Sequence, residues 1–187
     1  MATIRSAMSE HHEQAVSLER LGDELAIRDL IGRYVDAIHR RDREAWAGTW
    51  AEDARWVLPD VTDPDSELVM DGRATIVAGW VAAMQGYPFV AHMLHSGHIE
   101  WTTDDQPPGQ TPKGRWPNGR WPEGRWYVSE VVEDQDGARH HFFGVYNDRY
   151  VKSAGQWLFA ERVFSLLYMG PAAWDGTTFP HPQERGL

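Results

Sequence analysis

Apolar residues recur at Ile27, Leu30, Ile31, Tyr34, Val35 and Ile38, the i, i+3, i+4, i+7, i+8, i+11 series that one helix face would bury. Asp23 stands where an N-cap for this helix is expected. The charged run Arg40-Arg41-Asp42-Arg43-Glu44 breaks the series, and Asp42 is placed to cap a shorter helix carrying Trp46 and Trp50. Ala54 to Leu58, closed by Pro59, reads as a short strand; an Asp- and Pro-rich loop then leads to Glu67-Leu68-Val69-Met70. Between Gly72 and Gln85 the pattern returns to helix, with Ile76, Trp80 and Met84 four apart and Gly86 and Pro88 ending it. Beyond Pro88 strand patterns take over: 89–102, 125–133, 138–152 and 156–167, with Asp134-Gln135-Asp136-Gly137 and Ser153-Ala154-Gly155 as hairpin turns.

Helix, helix, strand and helix followed by an antiparallel meander predict an α+β fold, with about three N-terminal helices packed into the concave face of a curved antiparallel sheet. The expected organisation is a polar extension over 1–15, one domain over 16–170 and a tail over 171–187. A loop insertion at about 103–123 interrupts the domain. In and just after it, Gly114-Arg115-Trp116, Gly119-Arg120-Trp121 and Gly124-Arg125-Trp126 repeat at a period of five. Gly and Pro are too frequent up to Pro122 for helix or central strand, so the segment is either an aromatic-tipped lid or a surface loop grown by duplication.

Length and composition narrow the possibilities. At 187 residues and 42% hydrophobic content, one well-filled domain is expected. A formal net charge of -10 argues against nucleic acid and anionic membrane as partners, since both require a basic surface. The absence of cysteine excludes disulfides, thiolate metal sites and a cysteine nucleophile. The polar stretch from Met1 to Gln14 resembles neither a signal peptide nor a membrane span, which makes a soluble, cytoplasmic protein the simplest expectation. Ten tryptophans are either core or the walls of an apolar pocket.

Candidate chemistry centres on Ala91-His92-Met93-Leu94-His95-Ser96-Gly97-His98-Ile99-Glu100-Trp101. On a regular strand His92 and His98 share a face with Leu94 and Ser96, while His95 lies opposite with Met93, Gly97 and Ile99. The three histidines therefore cannot hold one metal. His95 on a largely apolar face is either a general base or a hydrogen-bonded core histidine. With no Gly-rich phosphate loop and no His-Glu-x-x-His spacing, no cofactor and no metal are expected.

The element order and four segments, Ile27 to Ile38, Trp50 to Trp56, Tyr146 to Tyr150 and Gly155 to Arg162, resemble the SnoaL-like group of the nuclear-transport-factor-2-like superfamily. The resemblance spans about Leu21 to Met169 and implies a cone-shaped α+β fold. That fold hosts many reactions and also non-catalytic subunits. The catalytic pattern is similar to that of bile acid 7α-dehydratase and hexachlorocyclohexane dehydrochlorinase. The resemblance puts their proton-abstracting histidine on His95, their charge-steadying arginine on Arg162, and their first-helix Tyr or Lys on Tyr34. Their base-orienting aspartate falls on His39. Asp36 is a possible relay partner one turn earlier, and Asp148 a possible partner for Arg162. Trp56, Trp80, Met93, Phe142 and Tyr146 are the expected pocket walls.

These features predict a cofactor-independent lyase or isomerase acting on a small hydrophobic cyclic substrate through a histidine base, in a homodimer or homotrimer. The alternatives are a non-catalytic small-molecule-binding or assembly protein, a polyketide-cyclase-like enzyme, and an epoxide-hydrolase-like enzyme.

Overall fold

The computed structural model describes residues 18–63, 65–101, 122–173 and 176–183. Three helices, α1 (Leu18–His39), α2 (Arg43–Ala47) and α3 (Arg73–Gly86), accompany six strands. These are β1 (Trp50–Pro59), β2 (Glu67–Asp71), β3 (Phe89–Trp101), β4 (Pro122–Glu133), β5 (Arg139–Ser153) and β6 (Gln156–Pro171). The sheet runs in the order β2-β1-β6-β5-β4-β3 and is curved and unclosed, an α+β architecture.

The apolar series on α1 is buried as its spacing requires: Ile27, Leu30, Ile31 and Tyr34 are all within 1% of full burial. The helix starts before Asp23, which is therefore not its N-cap. Instead the Asp23 carboxylate accepts from Lys152 Nζ at 2.7 Å and Trp157 Nε1 at 2.9 Å, tying α1 to β5 and β6. Asp42 does cap α2, accepting from the Ala45 N–H at 3.0 Å. The second helix ends at Ala47, so Trp50 opens β1 rather than closing α2.

The sheet is mixed, not purely antiparallel. β3 to β6 form the expected meander, but β1 runs parallel to β6, with Trp56 opposite Arg162. Trp46, Trp50, Trp56 and Trp80 converge with Tyr34 and Phe159 under the helices, and the Trp46 and Trp80 rings stack at 4.6 Å. This cluster is both the main core and the floor beneath the cavity described next. The third Gly-Arg-Trp unit lies within β4, while the first two fall outside the described residues. No helix among the described residues is long and apolar enough to cross a membrane.

Candidate functional site

Two clefts of similar size compete for attention. One, of about 240 Å³, lies on the outer sheet face beside His98, Glu100, Arg125 and Asn147. Its Arg149 is already committed to Glu123 and Glu161, each at 3.1 Å, so its charges largely neutralise one another. The other encloses about 210 Å³ between the helices and the concave face. Trp56, Trp80, Met84, Phe142 and Phe164 wall it, and Tyr34, His92, Glu130 and Tyr146 supply its polar groups. An apolar hollow with a few convergent polar side chains is the form a small-molecule site takes.

His92, not His95, is the histidine of this cavity. From Leu94 to Gly97 β3 takes three steps while β4 takes two, from Val128 to Trp126. The extra residue is a bulge, and it switches which face the strand's alternate side chains occupy. Gly97 and Ile99 face the core, as alternation predicted, yet across the bulge the inward positions are Leu94, three residues before Gly97, and then His92. His95 is exposed on the opposite face, with Nε2 2.8 Å from Ser129 Oγ and its ring near Phe143. Met93, expected in the pocket, is also on that outer side and 37% exposed. Gly97 has a packing reason to be glycine: a Cβ there would lie 1.8 Å from Trp126 Cε3.

His92 and Glu130 are direct cross-strand partners on β3 and β4. His92 Nδ1 lies 2.6 Å from Glu130 Oε2, and its Nε2 is buried with no hydrogen-bond partner among the described residues. A carboxylate on one ring nitrogen fixes the tautomer and leaves the other nitrogen as the reactive one. Glu130 was not among the expected site residues. Its signal is the alternation Trp126, Val128, Glu130, Val132, a carboxylate at an inward position of an apolar strand face.

His39 stands beside this pair. Its Nε2 accepts the backbone N–H of His92 at 3.0 Å, so the unprotonated Nε2 holds β3 in place. Burial, then the neighbouring His92 and His181, lower its pKa below the usual value, with Asp36 and Glu130 acting the other way. Asp36 does not bond to His39 as a relay would; its carboxylate takes Arg40 Nε at 2.8 Å and is half exposed.

Arg162 is wholly buried and does not line the cavity. Its Nε donates to Asp148 Oδ1 at 3.0 Å. Its guanidinium carbon sits 3.8 Å from the Tyr146 ring centroid, 4.2 Å from that of Tyr34 and 4.3 Å from that of Phe159. Asp148 also accepts from Tyr150 Oη at 3.2 Å, and Tyr150 in turn accepts from Trp126 Nε1 at 2.6 Å. Burial pushes the Asp148 carboxyl up to about 6, against the pull of Arg162. Burial raises the Tyr34 and Tyr146 phenols above the ordinary range although Arg162 opposes it. Both are thus neutral phenols that line the cavity, and a neutral phenol O–H can donate.

Comparison with known proteins agrees with this architecture. The profile of the SnoaL-like domain family matches residues 19–163. Among solved structures, hexachlorocyclohexane dehydrochlorinase LinA-type3 from Novosphingobium barchaimii superposes with a TM-score of 0.66 at 17% identity, over 87% of this chain and 99% of that one. A putative scytalone dehydratase from Novosphingobium aromaticivorans gives a TM-score of 0.64 at 15% identity, over 89% and 97%. An NTF2-like protein of unknown function from Pseudomonas putida gives 0.57 at 16%, over 89% and 94%. At these identities the likeness is one of fold. No curated protein matches the sequence.

Proposed function

Since the chain belongs to the SnoaL-like domain family, a group of small-molecule-binding and lyase-type proteins, we propose that its cavity carries out a cofactor-independent elimination or isomerisation with His92 as the base. The observation that carries this reading is the buried, unpartnered Nε2 of His92 at the cavity, with Nδ1 held by Glu130. The names of two structural neighbours, a dehydrochlorinase and a putative scytalone dehydratase, both describe eliminations, which supports the lyase form.

The steps follow from the groups in place. His92 Nε2 takes a proton from an activated C–H of a ring compound, and the Glu130 carboxylate faces the imidazolium that results. In an elimination the C–H electron pair becomes a C=C bond, and the group on the neighbouring carbon leaves with its bonding pair. In an isomerisation the pair delocalises onto a carbonyl oxygen and the proton returns to a different carbon. The Tyr34–Tyr146 phenol pair donates to whichever atom gains negative charge, with the Arg162 guanidinium behind both rings adding to the local positive field.

A panel of halogenated, hydroxylated and keto ring compounds tests this by product analysis and by solvent deuterium incorporation. A positioned base contributes roughly 10²- to 10⁴-fold, so His92→Ala is expected to lower turnover by that order, Glu130→Gln by less, and His95→Ala not at all. Turnover undiminished in His92→Ala overturns the proposal. A panel that binds to wild type but is never turned over favours a binding protein.

A further inference from the structure

Among the described residues, five buried side-chain polar atoms have no hydrogen-bond partner: Nε1 of Trp46, Trp50 and Trp56, Nη1 of Arg162, and Nε2 of His92. Four of the five are obligate donors, because indole and guanidinium nitrogens have no lone pair to accept with. The interior around the cavity is therefore short of acceptors. Native proteins leave few buried donors unpaired, and each such case calls for an acceptor that the described residues do not supply. Of the three indoles only Trp56 also lines the cavity, and it is 6% exposed.

The charges of the lining add a second constraint. Among the described residues that line the cavity, Glu130 is the one formally charged side chain. Of the neighbouring cations, Arg162 lies behind the Tyr34 and Tyr146 rings and is paired with Asp148, and Arg41 is turned to the Met84 and Tyr87 carbonyls. An anionic ligand would enter beside a carboxylate with no cation facing it, which low-dielectric surroundings make costly. A neutral ligand with an acceptor atom meets no such penalty and satisfies a donor that is otherwise left bare.

We propose that the cavity selects uncharged ring compounds bearing a hydrogen-bond acceptor, such as a ketone oxygen, an ether oxygen or a halogen, and that the Trp56 indole N–H donates to that acceptor. This rests on the reading of the cavity as a ring-binding site but does not depend on His92 being a base. Trp56 is on β1, while His92 is on β3 at the far end of the sheet order, so the two groups address different parts of one bound molecule.

Cyclohexanone and methylenecyclohexane, which match in size, and the larger cyclohexanecarboxylate test it by calorimetric titration of the full chain. The expected result is tighter binding of the ketone than of the alkene by about three- to tenfold, the worth of one net hydrogen bond, with no binding of the carboxylate at the same concentrations. Trp56→Phe, and a chain carrying benzothienylalanine at position 56 to keep the ring shape while replacing N–H by sulfur, are expected to lose that preference, so that ketone and alkene bind equally well within each variant. The Trp56 indole N–H resonance is expected to shift on adding ketone and not on adding alkene. Equal loss of both neutral probes in the variants, no preference in wild type, binding of the carboxylate as tight as the ketone, or no binding of any probe overturns the proposal. The same titrations on His92→Ala separate the two readings: the ketone preference persists there if Trp56 is its source, whatever that variant does to turnover.

Discussion

At the scale of single residues, the molecule turns on where one extra residue in β3 falls. Gly97 on the core side of that bulge faces Trp126 so closely that a methyl group has no room, and the indole it would strike is itself 2% exposed and bonded through Nε1 to Tyr150. Gly97→Ala is therefore expected to cost about 1–3 kcal/mol by overpacking, read as a fall in the urea midpoint with unchanged slope; an unaltered midpoint would show that Trp126 yields freely. The same bulge marks the limit of what sequence could tell about the site. Alternation placed Ile99 and Gly97 inward, as they are. Carried back without the extra residue it selected His95 in place of His92, because a bulge leaves no signature in the spacing of polar and apolar residues. Tyr34, Trp56, Trp80, Phe142 and Tyr146 do line the cavity: the periods of α1, α3 and β5 carry four of them, and Trp56 lies on β1 just beyond its irregularity between Trp50 and Arg55. Glu130 escaped because the resemblance directed attention to position 39, where a carboxylate was missing. The structure has a carboxylate on the adjacent strand instead.

At the scale of elements, helical periodicity located α1 and α3 well, and what it could not give was how they are anchored. Arg41 adopts φ 52 in the turn between α1 and α2, and from there its Nη1 donates to the Met84 carbonyl at 2.9 Å and its Nη2 to the Tyr87 carbonyl. Unsatisfied carbonyls at a helix end need such partners. Met84 and Tyr87 both line the cavity, so this one side chain fixes the wall that α3 presents. Arg41→Ala is expected to raise hydrogen exchange at 84–87 selectively and to cost about 1–3 kcal/mol; protection equal to wild type there would assign the wall's rigidity to packing alone. The parallel pairing of β1 with β6 was equally hidden. Strand patterns give faces, whereas the pairing of elements about a hundred residues apart depends on the helices that lie between them.

At the scale of the whole molecule, two buried titratable groups act on stability in opposite directions, and their pH windows overlap. Asp148 is pushed up to about 6 by burial, with Arg162 opposing. The native state holds that proton more tightly than the unfolded chain, where such a carboxyl titrates near 4. Its linkage contribution is fully present below about pH 4 and is lost as pH rises through 6. His39 is lowered, by burial first and then by His92 and His181. Its contribution is present above about pH 6.5 and is lost as pH falls, because protonating Nε2 also removes the acceptor for the His92 N–H. His39→Asn is therefore expected to flatten the acid side of the stability profile, leaving pH 5.5 closer to pH 7.5 than in wild type. Asp148→Asn is expected to act otherwise: it strands the Arg162 charge among aromatic rings and lowers stability by about 3–5 kcal/mol near neutral pH, more than the change in its own titration could restore. Urea denaturation of the three proteins from pH 5 to 8 reads both effects. A His39→Asn profile parallel to wild type would remove His39 as the source of acid sensitivity, and a mild Asp148→Asn loss would mean that the Tyr34, Tyr146 and Phe159 rings alone suffice to hold the guanidinium.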